Sequence, residues 1–393
     1  MKIKNLLSIT LCVFFLFSCQ KEELKAPAQQ TELLTAFEKT YGGNQDDFAH
    51  SLVAVDEFIY VYGTTKSLND ATGDHYLLKL NSNGEILAEY DYGSAAEEEG
   101  TKIILTSNNH LLLIGWTKNT ASGKKNIHLL KTDLDGNLLW EKNYGGPEDD
   151  FANDILELEN GNLLITGATV SFGEGSSDIY LIWIDSDGNM LKEAFHGDVD
   201  QDGGTQSIEL ANQDLMLFGY TWNYGASSRD YYLLKMNSNG DSLWSKRFGG
   251  VDYEETHAMS QSQDGGFVLN GHSASTDPIH DMYGVKVDAQ GNLIWEKNFG
   301  GTAHEGGMAF LINSLNQYVF VGRSMSFEMN QNIFLVTTDE AGNTLSEQFL
   351  GSAKADMANA IIEYQGYYYL AGQSDSFSNG DLDVYLYRLP IKN

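Results

Sequence analysis

The chain has 393 residues, with 55 acidic side chains against 24 basic ones and a net charge of −31 at neutral pH. A polyanion of this kind repels phosphate backbones, so nucleic acid is not an expected partner. Only 20% of residues are charged, 42% are hydrophobic and 40 are glycine, which excludes a disordered tail and describes a folded, turn-rich body.

Lys2 and Lys4 precede a mostly apolar run from Leu6 to Phe17. The run is too short for a bilayer-spanning helix and suits the central region of an export signal. It ends in Leu16-Phe17-Ser18-Cys19, which resembles the lipobox of bacterial lipoproteins. The resemblance implies cleavage before Cys19 and acyl chains, palmitate among them, on that cysteine. Cys12 would leave with the signal, and the mature body would then hold no thiol for a disulfide, a thiolate metal site or a nucleophile. Gln20-Lys21-Glu22-Glu23 resembles the surface-export signal of Bacteroidetes lipoproteins, while a plain solvated tether is the alternative. The expected organisation is a signal peptide over 1–18, a lipidated tether over 19–35 and one body over 36–393. The expected location is the outer membrane, held by lipid alone and facing the cell surface, with the periplasmic face as the alternative.

From residue 36 onward the chain is a repeat. Gly-x-Thr/Ser occurs at Gly63, Gly115, Gly167, Gly219, Gly271, Gly322 and Gly372, at spacings of 52, 52, 52, 52, 51 and 50. A second glycine series, Gly84, Gly136, Gly188, Gly240, Gly291 and Gly342, follows the first six by 20 or 21 residues. The third landmark is an aromatic before glycine, as in Tyr41-Gly42, Tyr92-Gly93, Tyr144-Gly145, Phe248-Gly249 and Phe299-Gly300, degraded at Phe195-His196-Gly197 and Phe349-Leu350-Gly351. Within one period, residues 152–158, 162–169, 179–185 and 190–195 read as four strands divided by turn residues. Such a period predicts the blades of a β-propeller. Asp133-Leu134-Asp135-Gly136-Asn137 lacks the rest of a calcium loop and reads as a hairpin turn.

The two ends are complementary. Phe37-Glu38-Lys39-Thr40-Tyr41 matches the outermost strand Trp140-Glu141-Lys142-Asn143-Tyr144 with no blade before it, and the chain stops after a third strand at Val384 to Leu389. The N-terminal strand is therefore predicted to complete the last blade. The fold is an all-β, seven-bladed propeller of four-stranded antiparallel blades, with no free sheet edge at the junction.

Gly136-Asn137-Leu138-Leu139-Trp140-Glu141-Lys142 and Gly291-Asn292-Leu293-Ile294-Trp295-Glu296-Lys297 resemble repeats of the quinoprotein-like propeller superfamily and of repeat-bearing Bacteroidetes lipoproteins. The resemblance implies the fold. It carries over nothing catalytic, since quinone-dependent dehydrogenases have eight blades.

Candidate contacts follow from the predicted ring. Asp47, Glu98, Asp150, Gln201, Glu254, Glu305 and Ala355 share one position before the innermost strands, so acids are expected around the axial mouth. They could hold a cation such as Ca²⁺ or act as acid and base; the alternative, repeated once per blade, is a carboxylate that accepts N–H groups from the glycine turn. The residue after each strand-two glycine varies: Thr64, Trp116, Ala168, Tyr220, His272, Arg323 and Gln373. With Trp222 and Tyr224 nearby, and Phe172, Phe327 and Phe377 in equivalent loops, these predict an aromatic and polar rim suited to a sugar or a protein partner, the alternative being aromatics packed on their own blades. His50 and His257 share a frame position and are expected to line the channel separately. No nucleophile elbow, phosphate loop or dinucleotide fingerprint is present. The expectation is a monomeric, lipid-anchored binding or scaffold module for glycan or protein, without a cofactor other than Ca²⁺. A glycan hydrolase or lyase working through the mouth carboxylates is the alternative.

Overall fold

The structure, a computed structural model, describes residues 35–391 apart from 69–71, 223–227, 276–279, 327–330, 352–353 and 377–381. The expected signal, the lipidation site Cys19 and nearly all of the tether lie outside the described residues, as do Tyr224, Phe327 and Phe377. The described residues form 28 strands, β1–β28 in chain order, grouped into seven four-stranded antiparallel sheets. The chain is a seven-bladed β-propeller. The innermost strands are β2 (Asp47–Val55), β6 (Glu98–Leu105), β10 (Asp150–Glu157), β14 (Asp202–Glu209), β18 (Glu254–Gln261), β22 (Glu305–Ile312) and β26 (Asp356–Tyr364). The strands expected in the third period are found at Asp150–Glu157, Leu163–Thr169, Asp178–Ile184 and Met190–His196.

The ring closes as the matching ends predict. β1 (Phe37–Tyr41) pairs antiparallel with β28 (Asp383–Pro390), from Phe37 opposite Arg388 to Tyr41 opposite Val384, and is the outer strand of the seventh blade. Each of the seven junctions between neighbouring blades holds its own apolar cluster. Leu52, Val61 and Leu78 of blade one meet Tyr369 and Leu386 of blade seven, and Ile114 and Leu129 of blade two meet Ile165 and Ile182 of blade three. Middle strands are covered on both faces, so Leu163–Thr169 and Asp178–Ile184 are buried at every residue; this is why they read as continuous rather than alternating apolar runs.

The glycine landmarks are close-approach sites. Each innermost strand carries a β-bulge after its third residue, where pairing skips His50, Thr101, Asn153, Thr205, His257, Met308 and Asn359 in turn. The bend presses a backbone carbonyl of the inner strand against the glycine of the second strand. A Cβ at Gly63, Gly115, Gly167 or Gly271 would lie 1.8 Å from the carbonyl oxygen of Phe48, Glu99, Phe151 or Glu255, respectively. The second glycine series occupies turns at positive φ, such as Gly136 at 73° and Gly188 at 78°, and the preceding blade's outer strand lies over them. Tyr41, Tyr92 and Tyr144 donate hydroxyl bonds to the carbonyls of Gly84, Gly136 and Gly188. His196 fills this place in blade three by reaching the carbonyl of Gly240, so His196, not Phe195, is the true counterpart of the tyrosines.

Candidate functional site

The acids expected at the mouth have another position and another task. In every blade the first residue of the inner strand pairs across the ladder with the Thr or Ser of the Gly-x-Thr/Ser motif: Asp47 with Thr65, Glu98 with Thr117, Asp150 with Thr169, Asp202 with Thr221, Glu254 with Ser273, Glu305 with Ser324 and Asp356 with Ser374. All seven acids are buried. The hydroxyls of Thr117, Ser273 and Ser324 donate to Glu98, Glu254 and Glu305 at 2.9, 2.7 and 2.7 Å, and Thr169 does the same to Asp150. The N–H groups of Gly43, Gly146 and Gly301 donate to Asp47, Asp150 and Glu305 at 2.9, 2.6 and 3.0 Å. Asp47, Glu98, Asp150, Glu254 and Glu305 therefore cap the turns that join blades and do not form an open acidic mouth, because a buried carboxylate needs several donors to remain charged. In blades four and seven the cap is Asp202 and Asp356, one residue beyond Gln201 and Ala355.

An axial cavity of about 870 Å³ lies inside the ring of bulges. All seven bulge residues, His50, Thr101, Asn153, Thr205, His257, Met308 and Asn359, line it. Four of them tie one blade to the next. Thr101 donates to the carbonyl of Ala152, Asn153 to that of Gly204 and Asn359 to that of Ala49, at 3.1, 2.8 and 2.9 Å. The hydroxyls of Thr205 and Thr256 lie 2.6 Å apart. His257 departs from this pattern, and its Nε2 is buried without a partner. His50 and His257 thus face one cavity from blades one and five.

The ring position two residues before each bulge residue pairs with the variable residue after the strand-two glycine. The pairs are Phe48 with Thr64, Glu99 with Trp116, Phe151 with Ala168, Gly203 with Tyr220, Glu255 with His272, Gly306 with Arg323 and Met357 with Gln373. Where the inner residue is glycine, the outer side chain folds across it. A Cβ at Gly203 would strike the Tyr220 ring at 2.5 Å, and one at Gly306 would lie 3.3 Å from Arg323 Nε. Tyr220 and Arg323 so flank the His272–Glu255 pair of blade five, where His272 Nε2 lies 3.1 Å from Glu255 Oε2.

Residues from adjoining loops complete a compact polar group. The carbonyls of Arg229 and His280 accept the N–H groups of Glu254 and Glu305, each 2.7 Å away, which fixes Arg229 and His280 beside the next blade's inner strand. The Arg229 guanidinium lies 3.5 Å from the Tyr220 ring centre and donates to the Tyr253 hydroxyl at 2.7 Å. That hydroxyl donates to Glu255 Oε2 at 3.1 Å. The imidazoles of His257, His272, His280 and His304 follow one another with ring centres 5.6, 5.3 and 5.4 Å apart.

The environment sets the charges. The His272 hydrogen bond, aided by nearby positive groups, holds Glu255 down to about 2 against the effect of burial. Burial pushes His257 down to about 4, and the charge that His272 can carry, with Arg229 and Arg323, acts in the same direction. Burial, then His272 and His304, also lowers His280. At neutral pH Glu255 is an anion, whereas His257 and His280 are neutral. Glu255, His257 and His272 each offer a ligand atom, all within 4.8 Å of one another. Two imidazoles and one carboxylate match the donor set of a zinc-class ion rather than the oxygen cage of Ca²⁺.

The other rim candidates divide. Tyr220 lines the cavity, His272 is only 5% exposed within the polar group, and Arg323 is half-buried beside it. Trp116 is not a rim residue: it is buried under Lys125, whose Nζ stands 3.5 Å from a ring centre of the indole. Trp222 is exposed. Phe172 packs on Tyr180 and Phe195 of its own blade. Nothing in the sequence pattern marks Arg229, Tyr253 or His280, and His304-Glu305 lacks the second histidine of a helical zinc-protease motif. Glu255 was visible only as one acid among many, and pairing it with His272 requires the bulge register.

No protein-family model matches the chain, and no curated protein does. Solved structures do match. The WD40 β-propeller domain of Doa1 is similar over 90% of this chain and 96% of its own, with a TM-score of 0.55 and 13% identity. The WD40 domain of Neurospora crassa Pan2 gives a TM-score of 0.54 at 12% identity, over 89% of this chain and 90% of that one. The polysaccharide lyase Uly1 gives 0.54 at 7% identity, over 90% and 92%. The likeness is one of fold.

Proposed function

We propose that the protein is a lipid-anchored, extracytoplasmic binding module that takes a glycan in its axial cavity. The observation that carries this reading is the cavity of about 870 Å³ whose wall combines the Tyr220 ring with Arg229, Glu255, His257, Asn153, Gln206 and Asn359. That volume falls within the range of small-ligand sites. A wall of amide, hydroxyl, imidazole and charged groups around an aromatic face suits a polyhydroxylated ring better than an apolar molecule. The anchor rests on Leu16 to Cys19, and the surface-facing location on Gln20 to Glu23. The resemblance of the Trp-containing repeats to those of Bacteroidetes lipoproteins and quinoprotein-like propellers agrees with a place in the envelope.

A glycan array probed with the full chain in detergent, with and without chelator, tests the reading. Binding to a defined set of oligosaccharides that Tyr220→Ala abolishes supports it. Binding that ignores Tyr220→Ala, or capture of a protein ligand with no glycan retained, overturns it. A hydrolase or lyase is the second reading, favoured by the Tyr253 hydroxyl placed between Arg229 and Glu255. Its carboxylates would be Glu99 and Glu255, which line the cavity, and the appearance of shortened or unsaturated products from the retained glycans would decide for it.

A further inference from the structure

The chain has four arginines among its 24 basic residues, and they differ in what faces them. Arg247 Nη1 lies 3.3 Å from a carboxylate oxygen of Asp230. Arg388 is buried and donates to the carbonyls of Thr35 and Ser82. The other two, Arg229 and Arg323, make no ion pair with a carboxylate among the described residues. Arg229 rests on Tyr220, donates to the Tyr253 hydroxyl, and keeps its Nε buried without an acceptor. Arg323 has a methionine sulfur, Met357 Sδ, 3.9 Å from Nη1. In a chain with 55 acidic residues, two half-buried guanidinium groups that touch no carboxylate directly are a departure, since the nearest acid, Glu255, is reached from Arg229 only through the Tyr253 hydroxyl.

The two arginines approach His257 from blades four and six, and the charge of each acts on it. Arg229 lines the cavity together with His257, and Arg323 reaches the strip of Gly306 that also faces His272 Nδ1, 3.7 Å from the position of a Cβ there. His257 Nε2 and His272 Nδ1 are buried with no hydrogen-bond partner. Glu255, the acid in their midst, already accepts from Tyr253 and contacts His272. Two guanidiniums against one carboxylate leave net positive charge at this point of the wall, inside a protein whose overall field is negative.

We infer that this part of the cavity receives an oxyanion carried by the ligand, a carboxylate or a sulfate ester, held by Arg229 and Arg323 beside His257. The inference rests on the reading of the cavity as a ligand site and makes its glycan acidic. Guanidinium groups hold such oxyanions through paired, charge-assisted hydrogen bonds, and Arg229, already fixed on the Tyr220 ring, loses little side-chain freedom when it does so. A divalent cation on Glu255, His257 and His272 is the competing occupant. The two adjacent guanidiniums act against it, since they add positive charge where a cation would sit.

Calorimetry and ligand-observed NMR at low ionic strength would use four probes on the full chain: sodium glucuronate, sodium sulfate, glucose and Zn²⁺. The expected result is binding of glucuronate or sulfate but not glucose, weakened about 10- to 100-fold by Arg229→Gln or Arg323→Gln and partly kept by Arg229→Lys, with melting temperatures unchanged. Glucuronate alone would assign a carboxylate, and sulfate alone a sulfate ester. Equal binding of glucose and glucuronate, or arginine variants that fold normally and bind the oxyanion as wild type does, would overturn the inference. Oxyanion binding that requires Zn²⁺ and is lost in His257→Asn but kept in Arg229→Gln would also overturn it and assign the positive charge to a metal. Neutral oligosaccharides that bind while oxyanions do not would leave the glycan reading standing and remove this one. Arginine-dependent oxyanion binding with no oligosaccharide retained would do the reverse.

Discussion

Gly167 stands against the carbonyl oxygen of Phe151, and a Cβ at that glycine would lie 1.8 Å from it. The bulge at Asn153 creates this approach, so the most regular feature of the sequence follows from a bend in the neighbouring strand. Gly167→Ala is expected to cost about 3 kcal/mol or more, because the clashing atom is backbone and can yield only by moving the bulge. Gly161 provides the comparison: its φ is +81° with nothing within 4 Å, so Gly161→Ala should cost only about 1 kcal/mol of backbone strain. Urea unfolding of the two variants measures the difference, and equal costs would refute the close-approach account.

Asp150 accepts from the Gly146 N–H and from the hydroxyls of Thr169 and Ser171. Asp150→Ala leaves these buried donors without an acceptor and is expected to destabilise by about 2 to 4 kcal/mol. Because the cap lies outside the cavity wall, ligand affinity of the folded variant should not change. A variant of normal stability that loses binding would return the acidic ring to a functional role.

His75 is buried between Tyr62, whose hydroxyl lies 2.6 Å from its Nδ1, and His128, whose Nδ1 lies 3.0 Å from its Nε2. His128 in turn lies 3.6 Å from Glu141. Burial, and then the charge that His128 can carry, lowers the His75 pKa well below the usual histidine value. As pH falls below about 6.5, the unfolded chain binds a proton that folded His75 refuses, so stability declines as the solution is acidified. Above about 7 this contribution is flat. Unfolding midpoints between pH 7.5 and 5 should fall less steeply for His75→Gln than for wild type; parallel slopes would contradict the assignment.

β1 adds five cross-strand pairs to the last blade, with the Tyr385 hydroxyl bonded to Glu38 at 2.7 Å. Deleting residues 1–41 should cost about 1 to 5 kcal/mol over those pairs and expose β28 as an open edge that promotes association. Thermal melts and light scattering would register both effects. A truncated chain that melts and scatters as wild type does would show that β1 does not hold the ring closed.

The repeat made the blades, their number and the closing strand legible, since each depends on residues that recur at a fixed interval or match end to end. The one-residue offset in the connections from blade three to four and from blade six to seven was not legible. His196 replaces Phe195 at the outer contact and Asp202 replaces Gln201 at the cap, and a frame counted from aromatics misses such a shift. Trp116 and Tyr220 occupy the same sequence frame but have different fates. Trp116 faces Glu99 and lies buried under Lys125, whereas Tyr220 faces Gly203 and leans over it to the cavity.

By itself the sequence determined the all-β architecture, because period, turn chemistry and apolar runs are local properties that the chain repeats seven times. Only the tertiary structure decided which side chains share a site. Glu255 meets His272 through a ladder whose register is set by a bulge, and Arg229, His280 and His304 reach them from three different connections. Closing the ring gives every unit the same backbone frame, while the arginine, histidine and carboxylate side chains around Glu255 gather on one side of the axis, in blades four to six and their connections.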